Sequence, residues 1–459
     1  MISFRFRFVP GFFGFCLGGI FLPVCGADAP VAADAAFAVS GEPLLSAWVP
    51  PVYPVAARAA KQEGRVIVDM LVDEHGVVTE ARVAHSDNAV FDEAALAAVR
   101  QWRFKPGLDE GKPVPFGLVG PVEFQLAPKT KIAPGALPPE RVWPHPAKRR
   151  AAKIVSAVDP DYPEELDPRK LPGRVDLRIQ LGADGKIAGT RVLWASHAAF
   201  VAEALRVSRT WTFEPARQGL LALGSEMEAP AEFVSVGAKR AEMLAANGIR
   251  VVDAEPEVLP EPFVITEPVY PLEKLLAGEE GTAEAAFTVD ARGVATALAL
   301  TSCSAPEFGA ALVAAVDGWT FRPAMQGGAR VPVKLAVTWS FARPTEGALK
   351  RLAEALAPGG EGVPSAKGLD RPLAVVWRGF PVYPSALVES AAEGKADIEF
   401  IIDRDGRARL PRVLAATQPE FGWAAATAVS QWVFEPPQRG GEAVAVRVQI
   451  PIGFTPPQK

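Results

Sequence analysis

The chain is poor in the residues that usually mark chemistry. Its 459 residues include four histidines, three cysteines and four tyrosines, and its net charge is only −5. The histidines, His75, His85, His145 and His197, stand apart, and none has a second histidine or a cysteine at metal-ligand spacing, which argues against a zinc site. Cys16 and Cys25 lie near the N-terminus, so Cys303 is alone in the remaining text and no intramolecular disulfide is expected. The charge balance gives no reason to expect a nucleic-acid partner. The one basic cluster, "AKRRAAK" with Lys148, Arg149, Arg150 and Lys153, sits beside Pro-rich text and reads as solvated. No Walker or dinucleotide glycine pattern occurs. In "AHSDN", His85, Ser86 and Asp87 are neighbours on a strand end, where side chains alternate between faces instead of converging as a triad must. With no acid, base or nucleophile set in view, the reading is non-enzymatic: no cofactor, no metal, no small-molecule substrate.

Long hydrophobic runs are missing too, except at the start. Arg5 and Arg7 precede "FVPGFFGFCLGGIFLPVCG", and "ADAPVAADA" follows with small residues suited to a signal peptidase. Residues 1–29 are therefore expected to be a signal peptide or a membrane anchor. No Lys or Arg falls between Arg7 and Arg58, which places the downstream text on the periplasmic side. The run from Phe8 to Gly26 is just long enough to span, but Pro10, Pro23 and its glycines weaken a spanning helix and favour cleavage. Lipidation at Cys25 is disfavoured by Val24.

What the chain does have is self-similarity. All four tyrosines precede proline: Tyr53-Pro54, Tyr162-Pro163, Tyr270-Pro271 and Tyr383-Pro384, spaced 109, 108 and 113 residues apart. Eleven residues after each stands Gly64, Gly173, Gly281 or Gly394, and twenty-three after it Gly76, Gly185, Gly293 or Gly406. Phe91, Phe200, Phe308 and Phe421 follow at thirty-eight, and Trp102, Trp211, Trp319 and Trp432 at forty-nine, each opening a W-x-F motif such as Trp102-Arg103-Phe104. Four gapless copies of one module are the reading, over 44–127, 153–237, 258–342 and 370–456. The linkers include a short helix around "GAKRAEMLAANG", and later a helix followed by a flexible Gly/Pro loop.

Within a module, "GRVIVDMLVDEHGVVTEARVAHS" alternates apolar and polar residues around a turn ending in glycine, as a hairpin does. Phe91, Ala95, Val99 and Trp102 then form one helical stripe, with proline after W-x-F as its stop. In the second copy Ser208 replaces the valine, so its helix should pack less well. "AVAVRVQIPIGF" shows the final strand. The fold class is α+β, four tandem β-β-α-β modules, each one helix on a small antiparallel sheet. Tyr-Pro is read as an anchor at the module entrance, with the ring over the sheet end and the hydroxyl near water. Asp73, Asp290 and Asp403 read as turn residues, with Gly182 at that place in the second copy.

The combination of Y-P, E-G, V-D-x-x-G, "FDEAALAAVRQWRFKP" and a closing strand resembles the C-terminal domain of the TonB energy-transducer family, most fully over Tyr53 to Leu126. The resemblance implies a periplasmic module that captures an extended peptide of an outer-membrane transporter, or another envelope protein, on its open sheet edge. It also implies coupling to an inner-membrane proton-driven motor. The closing strands would then carry binding: Val122, Phe124 and Leu126; Val333, Leu335 and Val337; Val444, Val446, Val448 and Ile450. The family's anchor histidine has no counterpart before His75. A periplasmic multi-domain scaffold without energy coupling is the alternative.

Overall fold

The computed structural model of the protein describes residues 39–127, 132, 135–139, 143–167, 171–234, 239–253 and 255–457. The segment expected to be a signal peptide or anchor, residues 1–29, lies outside them. Among the described residues no helix is long and apolar enough to cross a membrane.

Four helix-on-sheet units follow one another, and the fold is mixed α+β with small antiparallel sheets. The central strand of each is the Gly-initiated run: Gly64–Val72, Gly173–Leu181, Gly281–Val289 and Gly394–Ile402. Its hairpin partner lies on one side and the closing strand on the other. The closing strands are Phe116–Phe124, Ser225–Phe233, Val333–Phe341 and Val446–Phe454. The register is the same in every unit, with Gly64 opposite Phe124, Gly173 opposite Phe233, Gly281 opposite Phe341 and Gly394 opposite Phe454. Alternate residues of the central strand, such as Val66, Val68, Met70 and Val72, are fully buried beneath the helix, which is how period-2 alternation becomes a core.

The units hold more than four elements. A lead-in strand before Tyr-Pro pairs with the W-x-F segment: Leu44–Ala47 with Arg103–Lys105, and likewise in the other three units. The W-x-F motif is therefore in a strand, and the helices stop before it, at Val99, Ser208, Val316 and Val429. The helix expected to stop at the proline stops about two turns before it. A short hairpin then precedes each closing strand.

Each repeated residue has a physical reason. Each tryptophan Nε1–H donates to the carbonyl four residues before the tyrosine: Trp102 to Val49 at 2.9 Å, Trp211 to Val158 at 3.0 Å, Trp319 to Thr266 and Trp432 to Gly379 at 2.9 Å. Each tyrosine hydroxyl donates to the carbonyl nine residues on, as from Tyr162 to Leu171 at 2.8 Å and Tyr270 to Glu279 at 2.7 Å; Tyr53 and Gln62, and Tyr383 and Ala392, are the other pairs. The hydroxyl thus ties down the backbone after Tyr-Pro instead of only facing water. Burial, and then the nearby Asp167 carboxylate, push the Tyr162 phenol well above its ordinary value, which keeps it a donor. A side chain at either repeated glycine would force its surroundings to shift. A Cβ at Gly64 would lie 2.8 Å from the Phe91 ring, and one at Gly76, where φ is +79°, would lie 1.8 Å from the Phe104 carbonyl oxygen.

The units are joined. Trp194 of the second stacks on Phe263 of the third, centroids 5.8 Å apart. Leu272, Leu275, Leu352, Val363, Ile401 and Leu410 form a cluster between the third and fourth, where Arg412 Nε lies 2.8 Å from Glu273. Arg407 of the fourth pairs with Glu165 of the second, and its pKa is pulled down by burial, against the opposing pull of that carboxylate. The linker after Phe341 is a helix, Gly347–Leu356, and the Gly/Pro stretch expected to be a flexible loop is tied down through buried Val363 and a parallel bridge from Ser365 to Arg447.

Candidate functional site

The closing strand flanks the central strand in every unit, so its chemistry depends on which backbone groups face away from that strand. Ala147 N–H donates to Gly117 O at 2.9 Å, Val252 N–H to Lys334 O at 3.0 Å, and Thr338 N–H to Gly248 O at 3.0 Å. Counted from each tyrosine, Gly117 and Lys334 are both at position 64 and Thr338 is at 68. Even-numbered positions of the closing strand therefore present N–H and C=O outward, and odd-numbered ones bond the central strand.

At position 68 stand Pro121, Pro230 and Pro451 in the first, second and fourth units, with Thr338 in the third. Proline has no N–H to offer an incoming strand, so it shortens the edge available for pairing. The third unit, which lacks it, has this place filled by its own linker strand Ile249–Val251, in register Ile249 to Val337 and Val251 to Leu335. The first unit's edge is covered at Leu118 and Val119 by Pro146 and His145. Arg447 of the fourth receives Pro364 O on its N–H at 2.8 Å. Among the described residues no strand pairs with the outer side of Ser225–Phe233 in the second unit.

The residues expected from the sequence to carry binding lie on or beside the closing strands, and most of their side chains face the core. Val122, Phe124, Val333, Leu335, Val337, Val446, Val448 and Ile450 are buried against their helices. Val444 is half-buried just before its strand, and Leu126 is exposed beyond the end of its own. These positions lie on the closing strands, but the groups facing a newcomer would be the backbone and the alternate side chains: Glu226, Glu228 and Glu232 in the second unit, Arg447 and Gln449 in the fourth. The signal that could have found them was the proline at position 68, legible once the copies were aligned.

Elsewhere the chemistry is thin. Asp73 Oδ1 accepts from His75 and Val77 N–H at 3.0 and 2.8 Å, as a turn residue does, and Asp184 does this for Lys186 in the second unit at 3.0 Å. His85, near the exposed end of the strand Val78–Ser86, lies 3.8 Å from Asp87, and Cys303 is exposed with a free thiol. Among the described residues no group of three metal-ligating side chains comes together. A groove of about 1050 Å³ between the second and fourth units is lined by Arg191, Arg209, Trp211, Val375, Val433 and Glu435, among others, without a nucleophile set between an acid and a base.

Comparison with known proteins finds the same four copies. The family profile of the Gram-negative bacterial TonB protein C-terminal matches four times, at residues 49–126, 158–234, 266–342 and 380–456. The chain is similar to Protein TonB of Vibrio cholerae, 34% identical over 84 residues, which is 18% of this chain and 34% of that protein. It is also similar to Protein TonB of Xanthomonas campestris pv. campestris, 38% identical over 78 residues, 17% of this chain and 35% of the relative. The matched stretch thus spans about a third of the length of these curated relatives. A solution NMR structure of the Pseudomonas aeruginosa TonB CTD is 27% identical, covering 20% of this chain and 92% of that one with a TM-score of 0.18. The four matches together take in more than half of the chain, which therefore belongs to the family of the Gram-negative bacterial TonB protein C-terminal domain.

Proposed function

We propose that this is a periplasmic, non-enzymatic TonB-like protein that binds extended segments of partner proteins by strand addition, the partners being outer-membrane transporters in energy-dependent transport. Family membership supports the transport setting, and one observation carries the mode of binding: the chain already adds short extended segments of itself to the closing strands, at His145–Pro146 and at Ile249–Val251. Main-chain bonds at an edge give affinity with little demand on sequence. The second, third and fourth units are joined, so force applied to one of their edges passes through the ion pairs and apolar contacts between them. The N-terminal segment, cleaved or retained as an anchor, decides whether an inner-membrane motor is reached directly.

The test is photo-crosslinking in the native cell, with the reactive group placed at exposed closing-strand positions such as Glu228 and Gln449. Crosslinks to an outer-membrane transporter that change when the proton gradient is collapsed are the expected result. Crosslinks only to other envelope proteins, indifferent to the gradient, would leave a scaffold without energy coupling.

A further inference from the structure

The four closing edges are not equivalent, and the occupied ones describe what the open one would accept. The occupants pair at positions 64 to 67, with His145–Pro146 on Val119 and Leu118, Ile249–Val251 on Val337 to Leu335, and Pro364 on Arg447, and position 68 is reached only in the third unit, where Thr338 N–H donates to Gly248 O. In both antiparallel cases the occupant's residue opposite position 66 carries a basic-type side chain, His145 over Val119 and Arg250 over Ala336. Arg250 reaches across Ala336 to Glu284 at 2.5 Å, and its neighbour Ile249 is buried. The second unit has Glu228 itself at position 66, with Glu226 and Glu232 on the same exposed side of the strand. One strand inward, Arg178 is 2.6 Å from Glu228, Gln180 Nε2 donates to Glu226 at 2.7 Å, and Arg174, opposite Glu232, pairs with Asp176 at 2.8 Å. The charge is sorted, so an approaching segment meets carboxylates first. The closing strands of the other units carry no such row, having Val119, Ala336 and Gln449 at position 66.

We infer that the edge Ser225–Ala229 of the second unit is the docking edge for a partner, and that the partner is an extended segment in which aliphatic residues flank a lysine or arginine. This rests on the strand-addition reading above and deepens it: the least family-like copy becomes the receiving one, while each of the other three closing strands is already covered in part by the chain itself. Pro230 limits the contact to the first half of the strand, so the segment is short.

The experiment uses the full chain and two probes, a short peptide alternating valine with arginine and one alternating valine with glutamate, followed by fluorescence anisotropy and amide hydrogen exchange. The arginine peptide is expected to bind ~10-fold or more tightly than the glutamate peptide at low salt, and to slow exchange at the outward amides of Glu226 and Glu228. Glu228→Pro removes an outward N–H without touching the inner ladder and should abolish both effects. Glu228→Arg, which keeps the N–H, should reverse the preference between peptides. Protection at Phe116–Phe124, Val333–Phe341 or Val446–Phe454 instead would overturn the assignment to the second unit and leave strand addition standing. Absence of protection in any closing strand, with transporter crosslinks persisting, would sink both.

Discussion

The second and third units share a register, a helix and a ring of aromatic residues, yet one edge is open and the other is sealed. In the third unit Trp319, Phe287 and Phe321 fill the core beneath the sheet, and Thr338 hands its N–H to the chain's own linker. In the second, smaller residues such as Ala229 and Ala231 face the helix, Pro230 interrupts the edge, and glutamates line it. Duplicated modules can thus keep the residues that make a core while the edge, which no core residue specifies, drifts toward different uses. Edge chemistry is where the copies differ in function because it is the one place where backbone groups are left over after the fold is satisfied.

The sharpest way to break this comparison is through the hairpin glycines. Both have positive φ, but a Cβ on Gly293 would lie 1.9 Å from the Phe321 carbonyl oxygen, against 2.8 Å from that of Phe213 for Gly185. Gly293→Ala should cost about 3 kcal/mol and Gly185→Ala about 1–2 kcal/mol. Because four joined units need not unfold in two states, the readout is hydrogen exchange at Phe287 and Ile179 on the respective central strands. Equal losses would mean that the turns are equally tight and the second unit is no looser.

Thr338→Pro gives the third unit the proline of its siblings. It removes the hydrogen bond to Gly248, worth about 1 kcal/mol, and should loosen Ile249–Val251, so that exchange at Val252, which donates to Lys334, speeds up. If the linker strand stays protected, its seat is held by buried Ile249 and not by the ladder, and the proline elsewhere has little bearing on which edges stay open.

Much of this was legible in the sequence. Gapless spacing exposed the four units, alternation gave the hairpins, and the Phe-Ala-Val stripe gave the helix, because each is a long periodic signal tied to burial. The lead-in strands were not legible: segments such as Lys153–Ser156 pair over only a few residues, too few for a period. Which residues of the closing strands would meet a partner was less legible for a related reason. Val333, Leu335 and Val337 stand out as an apolar alternation because they are core, whereas a docking edge is written in backbone groups and in the polar residues between them. Ser208 shows the limit of substitution logic. Expected to weaken its helix, it is fully buried with its hydroxyl donating to Leu205 O at 3.1 Å, so no polar group is left unsatisfied. Ser208→Val should therefore change stability by about 1 kcal/mol or less, measured by exchange in the helix Ala199–Ser208. A gain of several times that would restore the poorer helix.

The smallest effect concerns how the third unit meets the fourth, where the second meets the fourth through an ion pair. Asp317 ends the third unit's helix, and its Oδ2 accepts the Ser385 N–H at 3.2 Å. Burial raises the pKa of this carboxyl, and the bonds from Ser385 oppose the rise. A carboxyl raised in the folded state favours its neutral form there. The stability it contributes is full below the ordinary aspartic range near ~3.9 and is lost as pH climbs through the raised value. Asp317→Asn keeps an oxygen for Ser385 and removes the charge. It should leave the chain slightly more stable than the parent at neutral pH, indistinguishable in acid, and flatter between, as followed by thermal unfolding across that range. A variant less stable at neutral pH would mean that the charged carboxylate is what holds Ser385, and that this contact, like the one between Arg407 and Glu165, depends on charge.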